Sequence, residues 1–294
     1  MISISGKPHD LGDGFFVTRL LPQAARRSIG PFVFLDYFGP VDFAPGKGID
    51  VRPHPHIGLA TVTYLFEGSQ MHRDTLGSMQ EIRPGDVNWM TAGRGIAHSE
   101  RTGEEVRAAG HRLHGIQSWI GLPTADEEAP PQFQHFAREQ LPQSEADGVR
   151  LRMITGSAFG LTSPVKVFSP IFYADARFAA GGRLPLDTEH EERAFLVIEG
   201  EVQIGGDLHG VEVHGPGAML ALDAGEEVTL YAAGPAQVML LGGAKLDGPR
   251  HIWWNFVSSS HERIERAKQD WKSGAFGKIP SDDKEFIPLP ADRR

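Results

Sequence analysis

Apolar residues along this chain come in short runs bounded by glycine- and proline-containing turns, and long segments with a 3.6-residue period are scarce before residue 258. Runs such as Phe32-Val33-Phe34-Leu35, Ala60 to Phe66, Phe195 to Ile198 and Val238 to Leu241 have the length and composition of strands. The pattern predicts an all-β chain. Toward the C-terminus the period changes. Ser259-Ser260-His261-Glu262 has capping-box spacing, and Ile264, Ala267 and Trp271 follow at i, i+3 and i+7 with Gly274 beyond. One short amphipathic helix packed back on the β structure is expected there, with an extended polar tail after Pro280.

The turns themselves repeat. Glu67-Gly68, Pro84-Gly85 and Ala92-Gly93 recur as Glu199-Gly200, Pro216-Gly217 and Ala224-Gly225, each displaced by the same 132 positions (199 − 67, 216 − 84, 224 − 92). Glycines in such turns allow a positive φ or a close backbone approach. Two copies of one β-barrel unit explain the constant offset. Between them, Thr124 and the acidic, proline-containing run from Ala125 to Pro131 read as a linker or long surface loop.

Composition narrows the chemistry. The 294 residues are 40% hydrophobic and 23% charged, as expected of a folded core with a solvated surface. There is no cysteine, so thiolate chemistry and disulfides are excluded and any metal must rest on His, Asp or Glu. The net charge of −9 supplies no global basic field, so direct nucleic-acid binding is not expected. No run is long and apolar enough for a membrane helix, and the first residues lack the layout of a signal peptide, so a cytoplasmic protein is the default expectation.

Two dipeptide-spaced pairs stand out. His54 and His56 flank Pro55, and His98 and Glu100 flank Ser99 after the Gly93-Arg94-Gly95 turn. Residues i and i+2 of a strand share a face, so each pair projects together. If His54-His56 leads directly into a strand from Ile57 to Phe66, the same face continues through Gly58 and Ala60, whose small side chains leave room beside the imidazoles. Three imidazoles and a carboxylate suit Fe(II), Mn, Ni, Cu or Zn, and in octahedral geometry they leave two positions open. The second copy offers no such set: adding 132 leads to Leu186, Thr188, Leu230 and Ala232.

The motifs His54-Pro55-His56-Ile57-Gly58, the stretch from Gly85 to Glu100 and the stretch from Leu113 to Pro123 resemble the pirin family of the cupin superfamily. That resemblance implies an all-β bicupin of two cupin-type barrels with a short C-terminal helix. It divides the chain into a metal-binding barrel at 1–125, a metal-free barrel at 126–247 and an extension at 248–294. It implies one iron, most simply Fe(II), on His54, His56, His98 and Glu100. The activity it implies is that of a quercetin 2,3-dioxygenase, taking a flavonol-like aromatic substrate and dioxygen, with Glu100 as ligand or general base and carbon monoxide released. The alternative is a metal-dependent redox sensor that acts on a protein partner without catalysis.

Other residues receive plainer readings. His72, His111 and His114 read as solvated or locally bonded rather than as groups that orient ligands. Trp89, Met90 and Trp119 read as core, Trp253-Trp254 as packing or an interface, and Arg263, Arg266 and Lys268 as a solvated helix face with a Glu262–Arg266 pair.

Overall fold

The computed structural model describes residues 1–10, 15–186, 188–206 and 210–291. Among these residues the chain is all-β apart from two short helices and two single 3₁₀ turns, and it forms two compact units. One unit comprises residues 8–19, 34–138 and 246–294; the other comprises 1–7, 20–33 and 139–245. No helix among the described residues is long and apolar enough to cross a membrane.

In the unit holding both histidine pairs, a four-stranded sheet runs in the order Asp50–His56, Ile96–Arg101, Gln70–Asp74, Met79–Ile82. A seven-stranded sheet contains Val87–Thr91, Leu59–Glu67 and His111–Gly121 as consecutive neighbours. Side chains of the two sheets meet: the Trp119 ring lies 5.1 Å from His56, and Phe133 stacks on His72 at 4.3 Å.

The strand expected from Ile57 to Phe66 starts later. The backbone turns at Gly58, φ +66°, so His54 and His56 close the strand Asp50–His56, and Leu59–Glu67 runs in the other sheet. The same-face continuation through Gly58 is therefore corrected: the period of two stops at the turn.

The turn repeat is real in the backbone. Gly68 and Gly200, Gly85 and Gly217, and Gly93 and Gly225 all sit at positive φ. The strands Gln70–Asp74 and Val202–Gly206 occupy the same place in their copies, again 132 apart. In the second unit Leu186, Leu230 and Ala232 are buried in an apolar cluster with Phe172, Phe195 and Leu220, so its interior is filled by packing. His190 there bonds the Ser157 carbonyl at 2.8 Å.

The helix His261–Ser273 forms as expected, but its N-cap falls one residue later than the Ser259/Glu262 capping-box spacing, because the Ser259 hydroxyl donates to Glu127. Ser260 accepts from the Arg263 N–H, and Gly274 closes the end at φ 78°. Its buried face, Ile264 and Ala267, packs with Ile57 and Phe256. The expected Glu262–Arg266 pair is replaced by longer-range partners: Arg263 and Arg266 both reach Glu128, and Lys268 stands 4.0 Å over the Trp253 ring. The acidic run is not all surface either. Glu127 is buried, accepting from Ser258 and Ser259 and pairing with Arg250 at 2.8 Å.

Candidate metal centre

The central strand Ile96–Arg101 places His98 opposite both His54 and Asp74 on its antiparallel neighbours, and Glu100 opposite His72. Directly opposed residues point to one side of a sheet. His54, His56 and His98 are buried, and one ring nitrogen from each lies within 4.8 Å of the others. Glu100 is not in that tight set; its carboxylate is buried and lines the same cavity as His54 and His56.

The hydrogen bonds assign the tautomers of two rings. His54 Nδ1 lies 2.8 Å from the Arg52 carbonyl, and His56 Nδ1 lies 3.1 Å from the Asn255 carbonyl. A carbonyl only accepts, so Nδ1 carries the proton in both and each Nε2 keeps a bare lone pair. His56 Nε2 is 3.1 Å from His98 Nε2. Burial holds the His54 imidazole down to about 4 and keeps His56 and His98 well below the usual histidine range.

Burial also pushes Glu100 up from the ordinary carboxylate range. Gln70 and Thr63 both offer it a side-chain hydrogen bond. Thr63 has one hydroxyl proton and two acceptors, Glu100 at 3.3 Å and Gln117 at 2.8 Å. A group of neutral imidazoles with inward lone pairs, beside a buried carboxylate, fits a cation.

Above these residues lies a cavity of about 760 Å³ whose walls include Phe34, Trp119, Trp253 and Trp254. Phe34 stacks on Trp119 at 3.9 Å, and the Arg19 guanidinium sits 4.4 Å over Phe34 while gripping Asp36 through two bonds of 2.9 and 2.8 Å. Burial raises the Asp36 carboxyl, against the pull of Arg19. The C-terminal extension completes the walls. Strands His251–Trp253 and Phe256–Ser258 form a hairpin whose turn holds Trp254 at φ 51°, and that turn presents the Asn255 carbonyl to His56. Ile287 and Pro290 of the tail also line the cavity, and the Ile287 N–H donates to the Pro53 carbonyl at 2.8 Å.

Several plain readings of the sequence are thereby corrected. His72 is buried, 3.0 Å from Asp74 and 3.4 Å from His98 Nδ1, because the strand Gln70–Asp74 faces the site rather than solvent. Trp119 is buried and Trp253 and Trp254 pack on the Ile57–Phe256 cluster as expected, but all three also wall the cavity, whereas Trp89 is core with its indole N–H on Thr91. His114 is buried against Tyr37, 2.8 Å from its hydroxyl.

The depressed imidazoles make the metal-free protein sensitive to acid. An unfolded chain protonates these histidines near the ordinary value of 6.5, whereas the folded chain resists until about 4 at His54. Their contribution is thus complete above about pH 6.5 and is lost as the pH falls toward 4. For His54 that span corresponds to about 3 kcal/mol, with His56 and His98 adding in the same direction and Glu100, whose folded value is raised, opposing them. Urea midpoints of metal-free protein are expected to drop clearly between about pH 7 and pH 5. Equal midpoints would mean that the imidazoles are not held neutral by burial.

Comparison with known proteins agrees with this geometry. The Pirin family matches residues 14–120, and the Pirin C-terminal cupin domain matches residues 173–277. A pirin-like protein of Caulobacter vibrioides is 50% identical over 285 residues, covering 96% of each chain. Human pirin is 30% identical over 280 residues, covering 94% of this chain and 93% of its own. A crystal structure of quercetin 2,3-dioxygenase from Acinetobacter baumannii superposes with a TM-score of 0.89 at 34% identity, covering 100% of this chain and 97% of that one. With both family domains matched in order and half of all aligned residues shared with a full-length relative, this chain belongs to the pirin family.

Proposed function

We propose that this protein is an iron-dependent dioxygenase of the quercetin 2,3-dioxygenase type, cleaving the ring of a flavonol-like substrate, with His54, His56, His98 and Glu100 as the metal ligands. The observation that carries the reading is the convergence of three buried, neutral imidazoles beneath a cavity walled by aromatic rings. Likeness to the Acinetobacter baumannii quercetin 2,3-dioxygenase supports the reaction class.

When bound, iron supplies Lewis acidity toward the substrate's hydroxyl and carbonyl oxygens and redox chemistry toward dioxygen. The chain's own residues do the rest. Phe34, Trp119, Trp253 and Trp254 offer flat apolar surface to a planar substrate and displace water from the site. Glu100 takes the 3-hydroxyl proton at its carboxylate: burial makes it a stronger base than a solvated glutamate, while side-chain bonds from Gln70 and Thr63 hold it in place. Asn255 and Arg52 hold His56 and His54 by their Nδ1 protons, so both rings keep their orientation through turnover.

The test is oxygen consumption by anaerobically iron-loaded protein on adding quercetin, with carbon monoxide measured in parallel and metal-free protein as control. Iron-dependent uptake accompanied by carbon monoxide is expected. No uptake by protein with iron verified at the site would overturn the flavonol dioxygenase reading.

A further inference from the structure

The relay behind His98 is not explained by ligand geometry alone. His98 is the one imidazole of the three whose Nδ1 faces no backbone carbonyl in the described contacts; it faces His72 Nδ1 at 3.4 Å. His72 in turn places Nε2 3.0 Å from Asp74 Oδ2, and Asp74 is fully buried. Phe133 lies flat on the His72 ring, 12° from parallel, and fixes its plane.

We infer that Asp74 and His72 are positioning residues that set the tautomer of His98, turning its Nε2 lone pair toward His54 and His56. This rests on the metal reading of the site given above. The polarity follows from the end of the chain. The Asp74 carboxylate accepts from the Leu76 and Ser78 N–H groups through Oδ1, at 2.9 and 3.0 Å, so as an anion it can only accept from His72 as well. His72 Nε2 therefore bears a proton, and the ring offers Nδ1 as an acceptor. His98 must then donate from Nδ1, which leaves Nε2 bare. Carboxylate, imidazole and imidazole form a row of matched donors and acceptors that ends at the cation site. His54 and His56 reach the same state by a single backbone carbonyl each. Such supporting bonds typically change metal affinity by about 10- to 100-fold.

The decisive variant is Asp74→Asn. Its amide oxygen can keep the two turn bonds, but its NH₂ would donate to His72 Nε2 and reverse the row, placing the proton on His98 Nε2 where a metal must bind. The probe is cobalt(II), with affinity read by chelator competition and geometry by its visible absorption bands. Circular dichroism melts of the metal-free variants monitor the fold. Asp74→Asn is expected to weaken cobalt binding by about 10- to 100-fold and to alter the bands. His72→Phe, which keeps the ring on Phe133 but removes both nitrogens, is expected to behave alike. His72→Gln retains an acceptor toward His98 and a donor toward Asp74 and is expected to recover most of the affinity, which a purely steric role for the ring does not predict.

Wild-type affinity and bands in Asp74→Asn would overturn the inference while leaving the metal site standing. If Asp74→Asn does not fold, the two His72 variants decide: equal affinity in both means that hydrogen bonding does not orient His98, and the inference fails. A wild-type protein that binds no cobalt would overturn the inference and the metal reading together.

Discussion

His56→Ala is expected to strip the protein of its metal and to lower quercetin-dependent oxygen uptake to that of the metal-free protein. Two of its neighbours give the reason. His56 Nε2 is 3.1 Å from His98 Nε2 within the group of three converging rings, and removing it leaves two imidazoles where three converged. Loss of a direct donor exceeds the about 10- to 100-fold that follows loss of a ligand's supporting bond. The substitution also leaves the buried Asn255 carbonyl without its donor and opens space beside Trp119, together costing about 1 to 3 kcal/mol. Metal content by elemental analysis, oxygen uptake and a thermal melt separate these effects. A folded variant that keeps full metal occupancy would remove His56 from the ligand set.

The largest effect on folding is expected from Gly58→Ala. Gly58 has φ +66°, and a Cβ there would run into the Val257 carbonyl oxygen, a rigid backbone atom. Three other segments meet the chain at this point. The Gly58 N–H donates to Gly93 at 2.8 Å, its carbonyl accepts from Leu122 at 3.1 Å, and the Val257 N–H donates to Ile57 at 3.2 Å. Left-handed strain and the clash together should cost about 3 kcal/mol or more. Because the displaced hairpin also carries Asn255, the variant should bind metal more weakly even where it folds. Gly46→Ala is the matched control: φ is +84°, but nothing lies within 4 Å of its Cβ, so only the backbone strain of about 1 kcal/mol applies. Equal melting temperatures for the two variants would show that the approach of Val257 to Gly58 is unimportant.

Much of the site was legible in the sequence because the signals that mark it are local. The His54/His56 and His98/Glu100 pairs rely only on the two-residue period of a strand, and the Ser259/Glu262 spacing with Gly274 marked the ends of a helix to within one residue. The constant offset of the glycine turns was readable because a backbone at positive φ selects glycine whatever surrounds it. The absence of ligands at Leu186, Leu230 and Ala232 needed only the same arithmetic, and the structure fills those positions with core.

Tertiary structure decided what surrounds the candidate ligands. His72 and Asp74 show the same i, i+2 spacing as the ligand pairs, yet nothing local says which strand they will face; pairing against Ile96–Arg101 brings Asp74 opposite His98 and His72 opposite Glu100. The turn at Gly58 was invisible to periodicity because Ile57 to Phe66 alternates well enough to read as one strand, and only packing against Val257 explains why the chain bends there. The cavity depends on residues as far apart as Phe34, Trp119, Trp254 and Ile287, and Asn255 meets His56 across 199 positions. Side-chain periodicity and capping are set by neighbours along the chain, and so the sequence by itself determined the strands, the duplicated turns, the terminal helix and the choice of ligand candidates. Which faces are buried, and which distant groups orient those ligands, depend on strand register and packing between segments far apart in sequence, and these only the folded structure decided.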